Sequence, residues 1–257
     1  MVSQLSSQQT QDIYSHLEYN LLDILHLKES IIKMSDEIKS AIVDYKPIVA
    51  LESTIITHGM PFPINFQTAQ NVEKIVRNRG AIPATIAVIE GQICVGLNKQ
   101  QLLLLSQESG SGRLTKISRC DLPVVMSTGG TGGTTVSATS LIANRCGIDV
   151  FTTGGIGGVH RDVQHTMDIS ADLTELGRTP VTVICSGVKS ILDIPKTLQY
   201  LETQGVCVVV FDGHQHSPQS VEFPAFFSRK SGSQVAYNAT TAEEVSRLIL
   251  ARNELGL

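Results

Sequence analysis

The chain of 257 residues contains no run of about 18 uninterrupted apolar residues, so nothing in it reads as a membrane-spanning helix. It also lacks a long basic stretch, and its formal charge is −4. Neither the backbone of a polymeric nucleic acid nor an anionic membrane is an expected partner. The five cysteines, Cys94, Cys120, Cys146, Cys185 and Cys207, include no CxxC pair. They read as reduced, buried thiols of an intracellular protein, not as a zinc knuckle or a disulfide framework. Neither GxGxxG nor the Walker spacing occurs, which argues against dinucleotide and nucleoside triphosphate binding, and HExxH is missing too. No internal repeat or low-complexity tract is present. Residues 1–45 lack the compact apolar core and small-residue cleavage site of a signal peptide, so the expected location is the cytoplasm.

What is there is an alternation of apolar β-branched runs with helical patterns from Pro47 onward, the signature of an α/β sheet covered by helices. The pattern predicts strands over 47–56, 84–90, 92–96, 122–128, 149–152, 181–187 and 206–211. Helices are predicted over 66–80, 97–110, 134–147 and 196–204. The second and third strands form a hairpin about Gly91, so the sheet is mixed but largely parallel. In residues 1–45, Leu17, Leu21, Ile24, Leu25, Lys28, Ile31 and Ile32 make an imperfect helical stripe. They are expected to form a helical extension, or a stretch partly without structure, ahead of a single domain over 46–257.

Chemistry concentrates in the segment Phe151–Leu173, FTTGGIGGVHRDVQHTMDISADL, directly behind a short apolar strand. Ligands of open α/β sheets collect at that carboxyl edge, and glycines there permit close backbone approach. His160, His165, Asp162, Asp168 and Asp172 are its ligand-type residues, and their oxygen-rich character favours Mg²⁺ or Mn²⁺ over zinc. The turn GGTGGTT (129–135) ahead of a helix is a candidate anion cradle, for which Lys116 would supply the compensating charge. Glu52, inside the apolar run VALESTII, faces either a polar site or an expensive burial. Lys189 follows the apolar strand VTVICSG, where partial burial would favour the neutral, nucleophilic amine, unless it merely snorkels to solvent. His214 and His216, in DGHQHSPQ, read as a surface loop.

Six segments, ALESTIITHGMPFP (50–63), PATIAVIEGQICVGL (83–97), TKISRCDLP (115–123), TTGGIGGVHR (152–161), HTMDISADL (165–173) and CSGVKSILD (185–193), closely resemble the pseudouridine-5′-phosphate glycosidases, the family once called indigoidine synthase A-like. The resemblance spans roughly residues 45–250. It implies a three-layer α/β/α fold around a mixed sheet, assembly as a homotrimer, and cleavage of pseudouridine 5′-phosphate to uracil and ribose 5-phosphate with a divalent metal, usually Mn²⁺. By the same resemblance Lys189 is the nucleophile that forms an imine and Glu52 the proton donor. Lys116, Val136, Ser170, Ala171 and Asp172 contact the substrate, Lys116 at its phosphate, and Asp168 holds the metal.

Relatives continue beyond Asn253–Leu257 with a Gly-rich turn and an asparagine-rich segment that closes the uracil side. The resemblance therefore implies a chain truncated at its C-terminus and weakened turnover. Two further functions stay open at this point: another lysine-imine enzyme acting on a phosphosugar, such as an aldolase, and a non-catalytic subunit that keeps the fold.

Overall fold

The computed structural model describes residues 31–212 and 221–256. In chain order the elements are β1 (Ile32–Met34), α1 (Asp36–Val43), β2 (Ile48–Leu51), a π-helical turn (Ile55–Gly59), α2 (Ile64–Asn78), β3 (Ile82–Ile89), β4 (Gln92–Val95) and α3 (Lys99–Gln107). These are followed by β5 (Thr115–Ile117), α4 (Leu122–Ser127), β6 (Gly132–Thr134), α5 (Val136–Arg145), β7 (Val150–Thr152), α6 (Val163–Thr166), α7 (Ala171–Leu176) and β8 (Thr182–Ile184). The chain ends with α8 (Ile194–Thr203), β9 (Val209–Phe211), β10 (Val221–Glu222), β11 (Gln234–Val235), β12 (Tyr237–Ala239) and α9 (Ala242–Leu255).

Among the described residues the main sheet has eight strands, in the order β1-β4-β3-β2-β7-β8, with β6 joining β3 and β5 joining β6. Only the β3–β4 and β3–β6 pairings are antiparallel, so the mixed, largely parallel sheet is as expected. Along β3 the side chains alternate between two apolar layers, as a period of two demands. Ala84, Ile86 and Val88 pack with Val136, Ile142, Leu173 and Leu201 from α5, α7 and α8. Ala87 packs on the other side with Ala69 of α2 and Leu102 and Leu105 of α3. Helices therefore cover both faces of this strand, which gives the expected three layers.

Four local expectations change. The apolar run 122–128 is the helix α4, not a strand. Pro123 sits in its first turn, where a missing N–H costs nothing, and Leu122 and Val125 are buried three apart while Val124 faces solvent. The strand expected over 47–56 stops at Leu51, because β6 takes over the place beside β3 that β2 leaves. Strand β9 pairs in parallel with β12 in a separate two-stranded sheet. At the start of the described residues, β1 is a parallel edge strand on β4, with Ile32 and Met34 buried, so the sheet includes residues before the boundary expected at residue 45. The stripe positions Leu17 to Lys28, and the pair His214 and His216, lie outside the described residues.

The cysteines are free, but two of them, Cys120 and Cys207, are exposed rather than buried. No helix among the described residues is long and apolar enough to cross a membrane.

Candidate active site

The sheet forks at β3, and the fork positions the site. The first half of β3 pairs with β2, as Leu51 with Thr85, whereas its second half pairs with β6, as Ala87 with Gly133. Hydroxyls fill the junction. Ser53 Oγ and Thr134 Oγ1 both donate to the carbonyl of Ile86, at 2.6 and 2.7 Å, and the Thr134 amide donates to Ser53 Oγ at 2.9 Å. The turn glycines belong to this packing: a Cβ on Gly133 would sit 2.7 Å from the Ser53 carbonyl, and one on Gly132 2.0 Å from that of Thr115. Gly132 and Gly133 are thus strand residues that allow β6 into the sheet, not the anion cradle their sequence suggested.

Glu52 lies at the mouth of this fork, one residue past the end of β2. Leu51 is in register with Thr152 of β7, so the next residues, Glu52 and Thr153, meet at the carboxyl edge. The Thr153 hydroxyl donates to Glu52 Oε1. Burial pushes the Glu52 carboxyl above the ordinary range, more strongly than the Thr153 hydrogen bond and the nearby charges of Lys189 and Lys116 pull it down, while the charge of Asp172 adds to the rise. A glutamate that feels Lys189, Asp172 and Lys116 together shows that residues far apart in sequence converge on one place.

Each of these residues has a local reason for its position. Lys189 ends a segment that runs beside the glycine loop: Ile156 N donates to Gly187 O at 3.1 Å, and Lys189 N to Ile156 O at 3.2 Å. Gly187 has φ +96°, and a Cβ there would meet the Pro224 carbonyl at 2.5 Å, so only glycine turns the chain at this point. Lys116 is exposed on β5, beside Gly133 and opposite in direction to the buried Ile117. Val136 is the buried first residue of α5. Ser170 caps α7, its Oγ accepting from the Asp172 amide at 3.3 Å, and Ala171 is exposed in the first turn.

Asp172 is buried and acts as a clamp. Its Oδ1 accepts from the Ser137 amide in the first turn of α5 at 2.9 Å, and its Oδ2 accepts from the Gly157 amide at 2.8 Å. A Cβ on Gly157 would stand 2.1 Å from Ser170 Oγ and 2.7 Å from Asp172 Oδ2, so this glycine allows the loop to reach the carboxylate. The free N–H groups of α5, which looked suited to phosphate, are thus partly answered by a protein carboxylate.

Asp168 is exposed, and its Oδ2 lies 3.7 Å from His160 Nε2 while its carbonyl accepts from the His160 amide at 3.1 Å. The five ligand-type residues do not converge: among the described residues no three His, Cys, Asp or Glu side chains form a metal-holding group. One exposed carboxylate, a hard oxygen donor open to water, fits a divalent cation such as Mn²⁺ that keeps most of its water and takes its remaining ligands from substrate. It does not fit an all-protein cage.

A groove of about 640 Å³ between α6, α8 and residues 232–234 contains none of the candidate residues. Thr153 is the site residue that the sequence did not single out. Its signal was present, a polar residue just past an apolar strand, but the strand order that sets it against Glu52 was needed to use it.

Residues 37–257 match the family described as indigoidine synthase A like protein. The chain is 52% identical over 224 residues to "Pseudouridine-5′-phosphate glycosidase 2" of Rhizobium johnstonii, covering 87% of this chain and 69% of that protein. It is 48% identical over 255 residues to "Pseudouridine-5′-phosphate glycosidase" of Arabidopsis thaliana, covering 99% of this chain and 74% of that one. Among solved structures, an indigoidine synthase A-like protein from Thermotoga maritima superposes with a TM-score of 0.76 at 34% identity, covering 88% of this chain and 70% of that one. The prealnumycin C-glycosynthase in complex with ribulose 5-phosphate superposes with a TM-score of 0.77 at 38% identity, covering 87% and 69%.

Proposed function

This chain belongs to the indigoidine synthase A like family, and on that footing we propose that it cleaves the C–C glycosidic bond of pseudouridine 5′-phosphate to uracil and ribose 5-phosphate. The observation that carries the reading is the Glu52 carboxyl fixed by Thr153 at the carboxyl edge of the sheet, with Lys189 and Asp172 both tied to the neighbouring glycine loop, through Ile156 and Gly157. The curated relatives that bear this activity in their names are about half identical over nearly all of the described chain.

Uracil cannot leave C1′ as a bare carbanion, so the site must supply a proton and an electron sink. Glu52, whose carboxyl burial shifts toward the protonated form, donates its proton to the ring oxygen as the C1′–O bond opens. The Lys189 amine adds to C1′, and the proton it releases returns to Glu52. Glu52 then protonates C5 of uracil. As the C1′–C5 bond breaks, the nitrogen lone pair forms a lysine imine, which water hydrolyses to ribose 5-phosphate and the free amine. Thr153 holds the Glu52 carboxyl in place, and Lys116 takes the phosphate. Asp168 would hold the Mn²⁺, which when bound would offset negative charge on substrate oxygens. The same reading takes the working form to be a cytoplasmic homotrimer, which sedimentation and cell fractionation would test.

The decisive experiment is to incubate the protein with pseudouridine 5′-phosphate and Mn²⁺, follow free uracil, and reduce a parallel sample with borohydride before peptide mapping. The expected result is uracil release, with the adduct on Lys189. An adduct without uracil would point to an aldolase-like lyase, and neither product would point to a non-catalytic subunit.

A further inference from the structure

Arg119 and Glu175 form an ion pair that the reaction above does not use. Arg119 Nη1 holds both oxygens of Glu175, at 2.8 and 3.0 Å. Glu175 is 1% exposed, whereas the arginine side chain is 40% exposed. Glu175 also accepts the hydroxyl of Thr179, so the carboxylate is fixed from two sides. With Nη1 committed to Glu175, the other edge of the guanidinium, Nε and Nη2, meets no hydrogen-bond acceptor among the described residues. That edge is the planar fork that matches two oxygens of a phosphate.

Its place in the fold is beside the expected substrate contacts. Arg119 lies three residues after Lys116, so their Cα atoms are at most about 10 Å apart. The Arg119 amide donates to Ser137 Oγ at 3.4 Å, in the first turn of α5 next to Val136. Its partner Glu175 is three residues on from Asp172, hence on the same side of α7. Lys116 is exposed, and an ammonium on a flexible stem in solvent holds an anion weakly. A guanidinium anchored by a buried carboxylate has already lost the rotamer freedom that binding would otherwise remove.

We propose that the Nε–Nη2 edge of Arg119 is a second contact to the 5′-phosphate, held in position by Glu175 and acting with Lys116. The proposal rests on the glycosidase reading for the identity of the substrate, but its test does not need turnover. Ribose 5-phosphate is titrated calorimetrically into the wild-type protein, into Arg119→Lys, and into the double variant Arg119→Met with Glu175→Leu. Lysine keeps Glu175 compensated but removes the fork, and the apolar pair removes the guanidinium without leaving a buried charge unpaired.

Both variants are expected to bind ribose 5-phosphate about tenfold or more weakly than wild type, with the double variant melting at or above the wild-type temperature. The proposal is overturned if the wild-type protein does not bind ribose 5-phosphate, or if Arg119→Lys binds it as tightly as wild type. It is equally overturned if the double variant recovers affinity along with melting temperature, since that would make the ion pair purely structural. Wild-type binding of ribose 5-phosphate without any uracil release from the nucleotide would sink the glycosidase reading and leave this one standing.

Discussion

Thr153 donates its hydroxyl hydrogen to Oε1 of Glu52 one residue beyond a registered pair of parallel strands, Leu51 of β2 and Thr152 of β7. The two strand ends carry the proposed acid and the hydroxyl that fixes its carboxyl, so the position of that carboxyl is set by the sheet. The hydrogen bond favours the ionised carboxylate and opposes the larger effect of burial. Thr153 therefore lowers the Glu52 pKa as well as fixing the carboxyl.

Thr153→Val keeps the shape and removes the donor. The Glu52 carboxyl should then titrate at still higher pH, and the alkaline limb of the kcat/KM profile should move upward. The turnover number should fall by about tenfold as the carboxyl loses its orientation, in line with the effect of a positioned acid. A limb that stays in place would show that the acid seen in the profile is not Glu52.

Glu52→Gln separates stability from activity. The folded-state pKa of Glu52 lies above its unfolded value, so its favourable, protonated form is fully present below the unfolded value of about 4.3. That contribution is lost as pH rises toward the raised folded value. Glutamine cannot ionise, so the variant should melt with wild type near pH 4 and increasingly above it as pH rises, while uracil release falls close to background. The gap can widen by at most about 1.4 kcal/mol per pH unit over that window. A constant offset between the two melting curves would show that Glu52 titrates normally.

Much of this was legible in the sequence because it depended on local signals. Glu52 stood out as an ionisable residue in an apolar run, Lys189 as a lysine after one, and the hairpin about Gly91 followed from its turn chemistry. What could not be read depended on strand order. Gly132 and Gly133 looked like a phosphate turn because glycine serves close backbone approach and anion binding alike, and only the pairing of β6 with β3 and β5 decides between them. Val124 and Val125 looked like a strand because β-branched residues fit one, yet Pro123 and the burial of Leu122 with Val125 make a helix. No local signal marks Thr153 as the partner of Glu52, because the two are 101 residues apart.

Asp168→Asn tests the metal assignment. Asparagine keeps a neutral oxygen but loses the charge that draws a hard cation. The variant should need about tenfold or more Mn²⁺ for half-maximal activity, a loss on the scale seen when a metal site is disturbed. Calorimetric titration of Mn²⁺ into the protein with ribose 5-phosphate present should show the same weakening without relying on catalysis. Identical titrations for variant and wild type would remove Asp168 from the metal site and direct attention to its neighbour His160, 3.7 Å away.

Asp172→Asn gives the opposite signature to Thr153→Val at the same acid. The Asp172 charge raises the Glu52 pKa, so neutralising it should move the alkaline limb downward, where removal of the Thr153 donor moves it upward. The substitution should also cost stability, because both Asp172 oxygens receive backbone amides, from Ser137 and Gly157. An asparagine has one acceptor oxygen, and its amide nitrogen would face a second N–H. The lost charge-assisted bond implies a fall of about 2–3 kcal/mol in unfolding free energy, read from denaturant curves. Asp172→Ala should cost more, since it leaves two amides without an acceptor at the join between α5 and the glycine loop. If Asp172→Asn lowered activity with an unmoved limb and an unchanged unfolding curve, its role would be direct contact with substrate alone, and the clamp between Ser137 and Gly157 would carry no weight in the fold.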